Sequence, residues 1–176
     1  MSVNVYYKRP ATQALIEEVQ TTLLPLVVQV CDQAGIELPL IAFTSRRRGC
    51  YKPKRTGGEI VISQQSALED KGYTKYVLCH EMAHHVDYLK NMAASYPRRA
   101  EDRKSHDRIF FKTLLEVIQV FFGDVAEYPW WREYPSLRTW ARQKGIPVGR
   151  PDGWDKPSRR APFTFAGRVY RELTMK

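Results

Sequence analysis

The sequence predicts an α+β domain in which a small mixed β-sheet packs on three helices, one of them carrying a metal site. Three observations predict it. Apolar residues recur at helical spacing in three separate stretches, and two short apolar runs lie between the first and second of them. All four histidines of the 176 residues fall between positions 80 and 106, on the second helical stretch and at the opening of the third.

The first helix is expected over residues 12–34, where Leu15, Ile16, Val19, Leu23, Leu26, Val27 and Val30 repeat along one face. Gly35 is its stop signal and Pro25 a point of kinking. Residues 36–44 read as a strand with Leu40-Ile41-Ala42-Phe43 as its apolar part, and residues 59–63 (Glu-Ile-Val-Ile-Ser) as a second strand introduced by Gly57-Gly58. A basic turn around Gly49 separates the two. The second helix is expected over residues 73–92. After a charged connection, residues 93–104, Ser105 is expected to cap a third helix over 106–122 that ends at Gly123.

Beyond Asp124 the density of Pro, Trp and Arg changes the character of the chain. The expected division is therefore a domain of residues 1–124 and a basic, aromatic- and proline-rich extension of residues 125–176, packed on the domain or partly flexible. One short helix is expected there, over 136–144.

Composition bounds the partners. With 43% hydrophobic residues the chain can bury a core. It has no run of eighteen apolar residues and no signal-peptide core at its N-terminus, so a cytoplasmic protein with no membrane partner is expected. Cys31, Cys50 and Cys79 are odd in number and far apart, which suits reduced thiols rather than a disulfide framework or a zinc ribbon.

A formal net charge of +9 points to a polyanion such as DNA, single-stranded or carrying bound protein. Two regions concentrate the charge. One is Arg46, Arg47 and Arg48 with Lys52, Lys54 and Arg55, the candidate nucleic-acid-binding residues. The other is the extension, where arginines alternate with Trp130, Trp131, Trp140, Trp154, Phe163 and Phe165, the components of a stacking platform for single strands. A solvated surface with a small aromatic satellite core accounts equally well for either cluster alone.

The chemistry is concentrated in His80-Glu81-Met82-Ala83-His84. Four residues apart on a helix, His80 and His84 share one face and can clamp one ion, while Glu81 lies about 100° further round. Two imidazoles and an adjacent carboxylate at this spacing suit a zinc hydrolase, with Glu81 as the base that deprotonates water. His106 is the candidate third ligand; Glu101, Asp102 and Asp107 are the other donors nearby. Asp87 returns to the face of His80 and His84 and is a candidate to hold an imidazole N–H from behind. His85 is turned away and is not counted as a ligand.

The order of these pieces resembles the SprT-like zinc metallopeptidases, the group that includes the bacterial SprT proteins and the Spartan DNA–protein crosslink proteases. The resemblance covers roughly residues 10–122 and rests on Arg48-Gly49-Cys50-Tyr51, Ile60-Val61-Ile62-Ser63, the H-E-x-x-H string and His106-Asp107-Arg108-Ile109-Phe110. It implies a zincin-like domain of the minigluzincin type, with His80, His84 and His106 binding Zn2+ and Glu81 as catalytic base. It also implies a protein substrate. Residues 59–63 would then be an exposed edge strand onto which that substrate adds.

Two departures stand out. Asp107 occupies a position that is usually glycine in the family, placing a carboxylate beside the third histidine. The C-terminal zinc ribbon of many relatives is missing, since no cysteine follows Cys79. The functional expectation is a zinc endopeptidase acting on DNA-associated proteins. A general or toxin-like zinc protease without DNA dependence, and a metal-stabilised binding module without catalysis, are the two alternatives.

Overall fold

Pro25 shapes the first helix of this computed structural model, which describes residues 5–7, 13–45, 49–53, 57–70, 72–92 and 106–150. Helix α1 (Gln13–Glu18) and helix α2 (Leu24–Ala34) are joined by one wide π turn, Val19–Leu23. The turn ends two residues before Pro25, whose missing N–H and bulky ring disrupt the regular ladder behind it. Gly35 closes α2 in the left-handed conformation at φ 64°, as a C-terminal glycine should.

The stretch Gln13–Ala34 is long and apolar enough to cross a membrane by length and composition. In this fold Leu15, Val19, Leu23, Val27, Val30 and Cys31 from it are buried in the core, a role that demands the same composition.

Four strands form a mixed sheet in the order β1-β2-β4-β3. Strand β1 (Val5–Tyr7) and strand β4 (Gly58–Ser63) flank β2 (Leu40–Thr44), both parallel to it. Strand β3 (Cys50–Pro53) pairs antiparallel with β4, with Tyr51 opposite Ile60. Ile41, Ala42 and Phe43 of β2 are all fully buried, the near-continuous apolar run that a central parallel strand requires.

This order corrects one expectation. Residues 59–63 are not an edge: β4 lies between β2 and β3, and the edge on that side is β3. Cys50-Tyr51-Lys52-Pro53 lacks the apolar alternation that marks a strand, so from sequence this stretch merges with the basic turn around Gly49. Lys and Pro are what edge strands carry to discourage unwanted pairing.

After β4 comes the short helix α3 (Gln64–Glu69), capped by Ser63, whose hydroxyl accepts from the Ser66 N–H at 3.2 Å. Helix α4 (Tyr73–Asp87) follows and runs on into a second π turn, Tyr88–Met92. Leu78, Cys79, Met82, Ala83 and Val86 are buried on several sides of α4, so this is an interior helix. Against it lies helix α5 (Arg108–Phe122), with Phe110, Leu114, Val117, Ile118 and Phe121 facing inward. Helix α5 begins at Arg108 rather than His106. Its cap is Asp107, whose Oδ1 accepts from the N–H groups of Ile109 and Phe110, both at 2.9 Å.

The core continues across residue 124. Trp130, in a 3₁₀ turn (Trp130–Arg132), and Leu137 and Ala141 of helix α6 (Pro135–Gln143) join the same buried cluster as Leu114 and Ile118. The Trp130 indole N–H donates to Val125 O at 2.7 Å. Arg132 grips Asp70 with both terminal nitrogens, one at 2.8 Å, tying the turn to the entry of α4.

Candidate metal centre

Helix α4 presents two i,i+4 pairs on adjoining faces, and each pair has its own partners. His80 and His84 point toward His106, which stands just before the cap of α5. His106 Nε2 lies 3.1 Å from His80 Nε2 and 3.2 Å from His84 Nε2, and the three ligand atoms all fall within 4.8 Å of one another. A tetrahedral ion bound at about 2.0–2.1 Å separates its nitrogen ligands by about 3.3 Å. The three histidines are close enough to hold a metal ion.

Phe110 is the floor of the cluster. Its ring stacks on His84 at 4.2 Å between centroids and stands edge-on to His106 at 5.0 Å. The spacing of His106 and Phe110, four residues apart across the start of α5, thus serves a packing purpose. Tyr134 covers the other side, 4.1 Å from the His106 ring, while remaining half exposed.

The Glu133 carboxylate holds His80 from behind. His80 Nδ1 lies 2.8 Å from Glu133 Oε1. Burial alone would raise the Glu133 carboxyl, but the charge and hydrogen bond of His80 and the Tyr128 hydroxyl, which donates to the same oxygen, hold it below the usual carboxylate range. An ionised carboxylate only accepts, so His80 carries its proton on Nδ1 and directs Nε2 into the cluster. Asp87 is buried on α4.

The electrostatics suit a cation. Burial, with the charges of His80 and His106, pushes His84 down to about 2. Burial and His80 push His106 down to about 4. Burial also disfavours charge on His80, yet Glu133 and Glu81 outweigh it and hold that ring above the ordinary imidazole value. At neutral pH the His84 and His106 rings are therefore uncharged, the form in which imidazole binds a metal ion.

The second pair on α4 is Glu81 and His85, and its partner is Tyr51 of β3. The Tyr51 backbone N–H donates to the Glu81 carboxylate. Burial raises Glu81 above its usual value, with His80 and this hydrogen bond acting in the opposite direction. His85 is fully buried, with Nε2 2.7 Å from Glu37 O and Nδ1 3.2 Å from the Tyr51 hydroxyl. A carbonyl accepts only, so Nε2 bears the proton and Tyr51 donates to Nδ1. His85 is thus a tie between α4, β3 and the loop before β2, in keeping with its exclusion as a ligand.

Cys79, next to His80, is buried and its thiol is pushed well above the ordinary value by desolvation, so it offers no thiolate. Asp107, the acid beside the third histidine, commits one oxygen to the cap of α5.

The expected nucleic-acid residues are only partly in view. Arg46, Arg47, Arg48, Lys54 and Arg55 lie outside the described residues, and Lys52, half exposed on β3, sits 3.6 Å from Glu59. Among the aromatic residues of the extension, Trp130 is core and Trp140 packs on Phe111 at 5.7 Å. Trp131 is flanked by the guanidinium groups of Arg132 at 4.2 Å and Arg150 at 5.5 Å. Trp154, Phe163 and Phe165 lie outside the described residues.

The sequence reading missed Glu133, Tyr128, Tyr134 and Tyr51. The one local signal was Glu133 itself, an isolated acid among Pro, Trp and Tyr. The chain matches no protein-family model, no curated protein and no solved structure.

Proposed function

We propose that this chain is a zinc-dependent endopeptidase with a zincin-like, minigluzincin-type fold, acting on DNA-associated proteins. The observation that carries the reading is the convergence of His80, His84 and His106 beside a buried Glu81 that is gripped by an edge strand. A site serving only to staple the fold has no use for a base next to its ligands.

His80, His84 and His106 would hold the ion through Nε2. Zinc, when bound, polarises a peptide carbonyl and lowers the pKa of water to about 7. Glu81 accepts the proton of the attacking water and returns it to the leaving amine. Strand β3 is the edge onto which an extended substrate adds as a further strand, with its scissile bond beside Glu81. Tyr51 suits this task because its side chain and its N–H are both committed inward, which keeps the strand in register with the helix.

The DNA part of the reading is supported by the +9 charge and by the exposed Arg142, Lys144 and Arg150 of the extension. Cleavage of a DNA-binding protein, with and without single-stranded DNA, by wild type and Glu81→Gln tests both parts. Cleavage by wild type alone, increased by DNA and abolished by a zinc chelator, is expected. Cleavage indifferent to DNA would leave a general zinc protease. DNA binding with no cleavage by wild type would make the chain a binding module.

A further inference from the structure

Glu133 is a buried carboxylate with only one of its oxygens occupied. Oε1 accepts from His80 Nδ1 and from the Tyr128 hydroxyl, while Oε2 is buried without a partner among the described residues. Such an arrangement costs stability, because a desolvated carboxylate oxygen loses its water and gains nothing in return. An apolar side chain of similar volume would pack there more favourably.

The surroundings hold this acid firmly in its costly place. Trp130 anchors the preceding turn in the core, Arg132 clasps Asp70, and the Tyr76 hydroxyl donates to Arg132 O at 3.4 Å. All these contacts position one carboxylate against the outer nitrogen of one imidazole.

We propose that Glu133 is a positioning residue for the metal centre: by accepting the Nδ1 proton of His80 it fixes the tautomer and orientation of that ring and strengthens ion binding. The proposal rests on the metal-binding reading above. It also makes the segment beyond residue 124 part of the site. A carboxylate behind a ligand imidazole typically contributes about 10–100-fold in metal affinity.

The test measures zinc affinity of the full chain by competition with a chromophoric chelator, for wild type, Glu133→Gln and Glu133→Ala. Imidazole 15N spectra and thermal unfolding of the metal-free proteins at pH 8 accompany it. About 10–100-fold weaker zinc binding is expected for Glu133→Ala, with Glu133→Gln in between because its amide oxygen still accepts. In the same spectra His80 should leave its Nδ1–H tautomer. Zinc binding within about threefold of wild type, with an unchanged His80 tautomer, would overturn the proposal. If Glu133→Ala does not fold, Glu133→Met, which fills a similar volume without an acceptor, decides by the same two readouts. A wild type that binds no zinc would overturn the metal reading, and the 15N spectra would then still show whether Glu133 governs His80.

Discussion

The backbone N–H of Tyr51 donates to the Glu81 carboxylate, so the edge strand of the sheet grips the acid that follows His80 on α4. The same residue uses its hydroxyl on His85, one helical turn further along. A strand and a helix that could slide past each other are thereby locked at two points four residues apart.

Glu81→Gln keeps the size and the hydrogen-bond acceptor but removes the base. Zinc content measured by atomic absorption should stay near one ion per chain, while peptidase activity falls by about 10²–10⁴-fold. Loss of zinc together with activity would give Glu81 a role in holding the ion.

Tyr51→Phe separates the two functions of Tyr51. The backbone N–H to Glu81 remains, but the buried His85 Nδ1 loses its donor, at a cost of about 1–3 kcal/mol. Denaturant unfolding should show that loss, while activity per folded molecule stays close to wild type. A large fall in activity would mean that His85 acts on the chemistry.

Gly58 faces the ring of Tyr51 across the strand pair. A Cβ there would clash with the Tyr51 ring at Cε2, and the ring cannot move away without breaking its bond to His85. Gly58→Ala should therefore cost about 1–3 kcal/mol through overpacking, seen as a lowered Tm. A Tm equal to wild type would show that the ring is free to shift.

Asp107→Ala removes the cap of α5 and should cost about 0.5–2 kcal/mol. Asp107→Asn, which still caps, should preserve both stability and zinc affinity. A loss of zinc affinity in Asp107→Asn at unchanged Tm would instead make Asp107 a donor to the ion.

Acid should destabilise the metal-free fold. His84 and His106 are held near 2 and 4, below the ordinary 6.5, so below 6.5 the unfolded chain binds protons that the folded one refuses. Their contribution is present above 6.5 and is lost as the pH falls toward those folded values. His80, held above 6.5, acts in the opposite sense and loses its contribution as the pH rises. His85, also lowered by burial, acts in the same sense as His84 and His106, so with three rings against one, Tm measured by circular dichroism should be lower at pH 5 than at pH 7.5, by roughly 2–8 °C for a net loss of about 1–2 kcal/mol. An equal or higher Tm at pH 5 would show that His84 and His106 are open enough to protonate in the fold.

Much of the fold is written locally. Residues 13–34 and 108–122 are helices because their apolar positions share one face, and β2 and β4 are strands because Leu40–Phe43 and Ile60–Ile62 are short apolar runs with turn residues nearby. His80 and His84 needed only the 3.6-residue period to share a face. The edge strand β3 was illegible because an edge is defined by what does not pair with it, and its Lys and Pro mimic a turn. Nothing near position 80 indicates that residue 133 will hold its ring. A hydrogen bond across 53 positions depends on how Trp130, Arg132 and α6 dock, which is a property of the packed core. The sequence by itself determined the helices, the central strands and the pair of histidines, since these follow from local periodicity. His106 is the sequence's candidate for the third corner, and the fold brings it to the pair; the tertiary structure alone decided that Tyr51 holds Glu81 and that Glu133 backs His80, because each contact joins segments that meet only when the core assembles.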